Sequence, residues 1–282
     1  MAEIGLTEVS ATSQEIVSSI VQETLKQEAI VLPTITDYSG FAVAGSNVVQ
    51  VPRRTQFAAA DKTENVALTA QEMTFAVDNI SLNKHKAIYA SLERIAAVQA
   101  MVNVEAEMIV EMSRELALQI DKDLIAQLRL ASSAAPDHIL DYSNTPTDTV
   151  QAVDILEARR LLNVQNVPQM NRFMMISPDQ EKAMLQIANF IEVDKYGPNE
   201  AIANAELGRI YGFRVIMHTE LAANQTLFYH SSAVGFARQL SPEFKTDDNL
   251  SKVAVEYLLH QIYGSAVLDS GKRQVYFNGT GA

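Results

Sequence analysis

Apolar residues recur along this chain at two spacings, and the switches between them divide it. Up to about residue 32 the spacing is helical. Ile16, Ile20, Val21 and Leu25 share one face, and Pro33 stops the run. That face is narrow and its flanks are polar. A helix of this kind is marginal alone and docks on another surface, its own or a neighbour's. From Tyr38 the pattern changes. Gly40 and Gly45 punctuate, residues 47–52 alternate as a strand, and Arg53 and Arg54 follow. Residues 57–65 are Ala-rich, polar and without a period, and then 74–77 and 80–84 alternate as a second strand. Two strands with a long polar tip predict a protruding hairpin. An isolated two-stranded hairpin is marginal, so it is either a solvated loop or an arm lying on a partner.

The strongest helical pattern covers residues 87–131. Val104, Met108, Met112, Leu116, Ile120, Leu124 and Leu128 stand every fourth residue, a row that drifts about 40° per step around an α-helix. Met101, Ile109 and Ile125 widen the stripe. A spiralling stripe touches different elements along its length, which predicts a rod across a domain and not a two-stranded coiled coil. Residues 145–148 (Thr-Pro-Thr-Asp) have helix-start grammar for a helix through Val150, Val153, Leu156 and Leu161, ending before Pro168. Residues 172–177 read as a buried strand, and Ser177-Pro178-Asp179-Gln180 opens a helix to about Phe190. A glycine turn then leads into a strand over 208–216, and short strands are predicted at 226–229 and 233–238. Residues 252–268 read as a long strand, with a helix as the competing assignment, and 274–277 as a last strand. The fold class is α+β.

With 282 residues, 48% hydrophobic and 20% charged, the chain can bury the core of one large domain or two modest ones. The formal net charge of −12 argues against sequence-reading of nucleic acid, because such a chain repels phosphate backbones. It contains no cysteine, which excludes disulfides, thiolate metal sites and cysteine nucleophiles. Residues 1–10 lack the pattern of a signal peptide, and no apolar run is long enough to span a bilayer, so synthesis in a reducing cytoplasm is expected.

No chemistry-bearing motif emerges. Of His85, His138, His218, His230 and His260, none stands four residues from another. His218 ends a predicted strand and His230 follows one, so the two could meet as a metal or catalytic site; otherwise they are structural. Gly208 and Gly212 lack the Lys-Ser/Thr of a phosphate loop, and there is no nucleophile elbow. Glu105, Glu107, Glu111 and Glu115 line the long helix as a solvated acidic face, not as a paired-carboxylate site. No catalytic, cofactor-binding or metal-binding residue is assigned. The predicted hairpin differs in sign from the rest: Arg53, Arg54, Lys62, Lys84 and Lys86 stand against Asp61, Glu64, Glu72 and Asp78. A basic arm and an acidic rod on one chain suggest head-to-tail contact between copies. The expected assembly contacts are those five basic residues with Glu107, Glu111 and Glu115.

The order of parts is distinctive: an arm, a hairpin, one dominant helix, an α/β segment and a late strand returning to the helix. It resembles the major capsid proteins of tailed bacteriophages, the Hong Kong 97-type fold. Residues 167–179, a strand followed by a Ser-Pro helix start, look like the family's. So do the turn and strand of 207–215 (Gly-x-Ile-x-Gly-x-x-Val within it) and the closing segments 233–236 and 253–257. The resemblance implies an N-terminal arm at 1–47, an extended loop at 48–86, and a peripheral domain with the spine helix at 87–145. It further implies an axial domain at 146–236, its return strand to the peripheral domain at 237–268, and a C-terminal segment at 269–282.

By the same resemblance the chain forms pentamers and hexamers of an icosahedral virion shell around double-stranded DNA, without enzymatic activity, cofactor or membrane. Its partners would be its own copies, a portal protein and in some members a decoration protein. A short arm at the start points to a separate scaffolding protein. Lys62, near the loop tip, has no identifiable partner for the covalent cross-link of some members. The alternatives are a cellular nanocompartment shell of the same fold and, from another class, a soluble oligomeric α/β enzyme.

Overall fold

The computed structural model describes residues 29–43, 45–54, 57–94, 104–144, 147–185 and 208–279. Two sheets and a hairpin contain its strands. A six-stranded sheet runs in the order β5 (Ile139–Leu140), β12 (Gln274–Asn278), β9 (Gln225–His230), β6 (Arg172–Ile176), β8 (Phe213–Met217) and β7 (Arg209–Ile210). A four-stranded sheet runs in the order β1 (Thr36–Asp37), β10 (Val234–Asn249), β11 (Ala254–Val267) and β4 (Lys84–Glu93). The hairpin pairs β2 (Val48–Arg54) with β3 (Phe75–Ser81) in antiparallel register from Val48 opposite Ser81 to Arg54 opposite Phe75.

The six-stranded sheet is covered on both faces, which explains why its central strands are apolar runs rather than alternations. On one face Met174, Ile176, Phe228, Val275 and Phe277 pack against Ile155, Ala158, Leu161 and Leu162 of helix α2 (Ala152–Val164). On the other, Met175, Leu227, Tyr229 and Tyr276 meet Ile120, Leu124, Ile125 and Leu128 of helix α1 (Val104–Leu128). Met112 and Leu116, earlier on α1, pack instead on Tyr257 and Leu259 of β11. The spiralling stripe therefore does what its drift predicts: one helix serves two sheets.

The ribbon of β10 and β11 carries two register irregularities, between Arg238 and Leu240 and between Leu240 and Glu243. Such bulges bend a ribbon and increase its twist. Tyr211 and Gly212, both at positive φ, turn β7 into β8, and the glycine there answers a backbone requirement.

Several expectations are corrected. Residues 87–93 are strand, not helix: β4 alternates half-buried and exposed positions, and its Ile88, Ala90 and Leu92 pack beside α1. The alanines and the long helix downstream masked that period of two. The second helix starts at Ala152, not near Thr145. Gln151 and Asp154 form a reciprocal capping box, and Asp148 has a left-handed φ that no helix accepts. β10 runs on to Asn249, well past the predicted 233–238, because its polar half is held as strand by pairing with β11. Residues 254–267 are strand, which decides between the two assignments for that run. The segment after 268 supplies β12 to the six-stranded sheet, so it is an integral part of that layer. The predicted helix before residue 28 and the continuation to Phe190 fall outside the described residues.

Candidate assembly surfaces

Both strands of the hairpin are tied to the turn at Asp269. Arg53 on β2 forms an ion pair with Asp269, and Asp78 on β3 accepts the backbone N–H of Asp269 at 3.0 Å. Arg273 donates to the same Asp269 carboxylate at 3.3 Å. Asp269 and Ser270 occupy left-handed φ in the turn that receives these bonds. Beneath them Val49, Ile80, Leu82, Ala237 and Leu268 form a small core. β3 crosses β11 closely there: a Cβ placed on Gly264 would come within 2.1 Å of the Ser81 carbonyl oxygen.

The basic residues expected to reach another copy are largely engaged within their own. Lys84 and Lys86 on β4 approach Asp123 on α1 at 3.4 and 3.9 Å, and Tyr263 donates its hydroxyl to Asp123 at 2.6 Å. Burial and that carboxylate push the Tyr263 phenol well above its ordinary range. Lys62 donates to the carbonyls of Thr63 and Val66, folding the hairpin tip upon itself. Gln71 braces the tip further, donating to the Ala58 carbonyl at 2.6 Å and accepting from the Ala58 N–H at 3.0 Å. Arg54 is exposed at the end of the paired segment. On α1, Glu107 is exposed while Glu111 and Glu115 are half-buried. Lys84 and Lys86 thus lie on β4 of the four-stranded sheet and not on the hairpin, and the acid of the rod that they meet within one chain is Asp123.

The surface that sequence reading missed is apolar. Phe57, Val66, Leu68, Met73, Phe75 and Val77 all stand exposed on the hairpin, Phe75 at 61%. Phe57, Val66, Leu68 and Met73 follow no period among Ala, Thr and Gln, and Phe75 and Val77 alternate as an ordinary strand, so neither set marked a surface.

His218 and His230 form no shared site. His218 lies beside Ile176 and His230 beside Arg172, at opposite ends of β6, so the two do not meet. His230 is held neutral: burial first, then Arg273 and Arg172, lower its pKa below the ordinary histidine value. His138 is buried, with Nδ1 at 2.8 Å from the Gln274 carbonyl. His85 and His260 face each other across β4 and β11 at 3.4 Å. Among the described residues no three His, Cys, Asp or Glu side chains gather as a metal-sized cluster, and no helix is long and apolar enough to cross a membrane.

Comparison with solved structures places this architecture. A capsid structure from cyanophage P-SCSP1u shares it at a TM-score of 0.80 and 15% identity, covering 97% of this chain and 95% of that one. The cyanophage Pam1 capsid matches at 0.80 and 12% identity, covering 100% of both chains. A chain from Mycobacterium phage Che8 matches at 0.80 and 19% identity, covering 96% and 98%. No curated protein sequence matches the chain. At these identities the likeness establishes the fold, which is the Hong Kong 97-type capsid fold in its α+β form. A family described as phage capsid protein matches residues 77–276, more than two thirds of the sequence. This chain belongs to the phage capsid protein family.

Proposed function

We propose that this protein is the structural, self-assembling major capsid protein of a tailed-phage head, with no catalytic role, and that its copies form the pentamers and hexamers of a closed shell around double-stranded DNA. The observation that carries the reading is the family match over 77–276 on a fold shared end to end with phage capsid chains. The net charge of −12 suits a wall that does not grip DNA. In this reading β2 and β3 are the extended arm, α1 with the four-stranded sheet is the peripheral unit, and the six-stranded sheet with α2 is the axial unit. A scaffolding protein, a portal and an outer decoration protein are the partners such a shell would recruit.

The arm makes its inter-copy contact chiefly through apolar burial. Its exposed Phe57, Leu68, Met73 and Phe75 have no cover in a single chain, while its Arg53 is already paired, as are Lys84 and Lys86 of the neighbouring β4. Arg54 and Glu107 remain as the charged contacts between copies. The test is electron microscopy of the protein expressed alone and with the neighbouring genes of its source. Closed hollow shells of uniform size are expected. Monomers or small rings under every condition, added scaffolding protein included, would overturn the assignment.

A further inference from the structure

Asp121 lies on the inner face of α1 between Ile120 and Leu124, and it is 0% exposed. A buried carboxylate is costly unless hydrogen bonds replace its water. Here the replacement comes from the N-terminal side of the chain. Ile30 and Val31 donate their backbone N–H groups to Oδ2 at 2.7 and 2.9 Å, and Leu32 donates to Oδ1 at 3.3 Å. Three successive main-chain donors thus converge on one side chain 89 to 91 residues away in sequence. Residues 30 and 31 belong to no helix or strand, so Asp121 is what holds their N–H groups.

His218 completes the setting. It is 2% exposed, and its Nδ1 accepts the N–H of Glu220 at 3.1 Å. In the neutral ring the proton is therefore on Nε2, which sits 3.8 Å from Asp121 Oδ2 with no hydrogen-bond partner of its own. Its dipole favours the carboxylate. Just beyond the clamp, Thr34 is tied to the Val31 carbonyl and to the Tyr229 hydroxyl, and Thr36 N–H bonds Ser231 before β1 joins β10.

We propose that Asp121, with His218 behind it, is the positioning residue of the N-terminal arm. It fixes the course of residues 30–32 over α1, and with it the line on which the chain enters β1. The clamp stands on the geometry of one chain; only its consequence, that residues 30–32 take the same course in every copy of a shell, rests on the capsid reading.

The test is therefore made on unassembled subunits. Hydrogen exchange in the unmutated protein should find the amides of Ile30, Val31 and Leu32 protected. In Asp121→Asn, which keeps the shape and loses the charge, their exchange should rise about tenfold or more, as expected for loss of charge-assisted bonds. Amides of residues 116–128 and of β9 should change far less. Unprotected amides in the unmutated protein overturn the clamp, and so does an unchanged rate in the variant. A uniform rise across the whole chain overturns the positioning role and leaves Asp121 as an ordinary core group. Failure of shells to form leaves these exchange outcomes intact and bears on the capsid assignment alone.

Discussion

At the scale of single residues, cost is set by what stands opposite. The nearest neighbour of a Cβ at Gly264 is the backbone of Ser81, which cannot rotate away. Gly264→Ala should destabilise the free subunit by about 2 kcal/mol or more, read by thermal unfolding. At Gly235 the obstacle is the tip of the Ile80 side chain, so Gly235→Ala should cost less. His230 supplies a pH prediction. Its folded pKa is depressed, so below the ordinary value of about 6.5 the unfolded chain binds the proton more readily than the native one. Its contribution to stability is present above pH 6.5 or so and is lost as pH falls through the lower, folded midpoint. The His230 ring proton in an NMR titration should shift at lower pH than a histidine in the unfolded chain; a midpoint at or above that value would contradict it.

At the scale of elements, the hairpin separates two roles for adjacent arginines. Arg53→Glu puts an acid beside Asp269 and should loosen the hairpin in the free subunit. Arg54→Glu should leave the free subunit unchanged and slow assembly, measured by light scattering. If both variants behave alike, the division is wrong. Residues 57–74 carry the exposed apolar side chains and no regular structure, so protease should cut there faster in free subunits than in shells. Equal rates would argue against docking of the arm. In α1, Leu124 is fully buried against the six-stranded sheet, and Leu124→Ala should cost about 2–5 kcal/mol.

At the scale of the whole molecule, the sequence made legible what a repeating pattern encodes. The long helix and the alternating run at 254–267 each carry their own period, and the strand at 172–176 is legible from the unbroken apolar run that follows Arg172. What stayed hidden depends on partners distant along the chain. The polar half of β10 is a strand only because β11 lies beside it, and β4 looked helical because alanine fits both periods. The pairings of Arg53 with Asp269 and of Lys84 with Asp123 join residues far apart in sequence, so charge counting assigned them to another copy. Asp121 carried no signal at all, since one acid within a long helix reads as surface.

β12 sits between β5 and β9, joining Tyr276 to Ile139 on one side and to Leu227 on the other. It is also the last of these strands to be synthesised. A ribosome that has yet to deliver residues 274–278 therefore holds a six-stranded sheet with a gap in it, and that sheet closes only once they have cleared the exit tunnel.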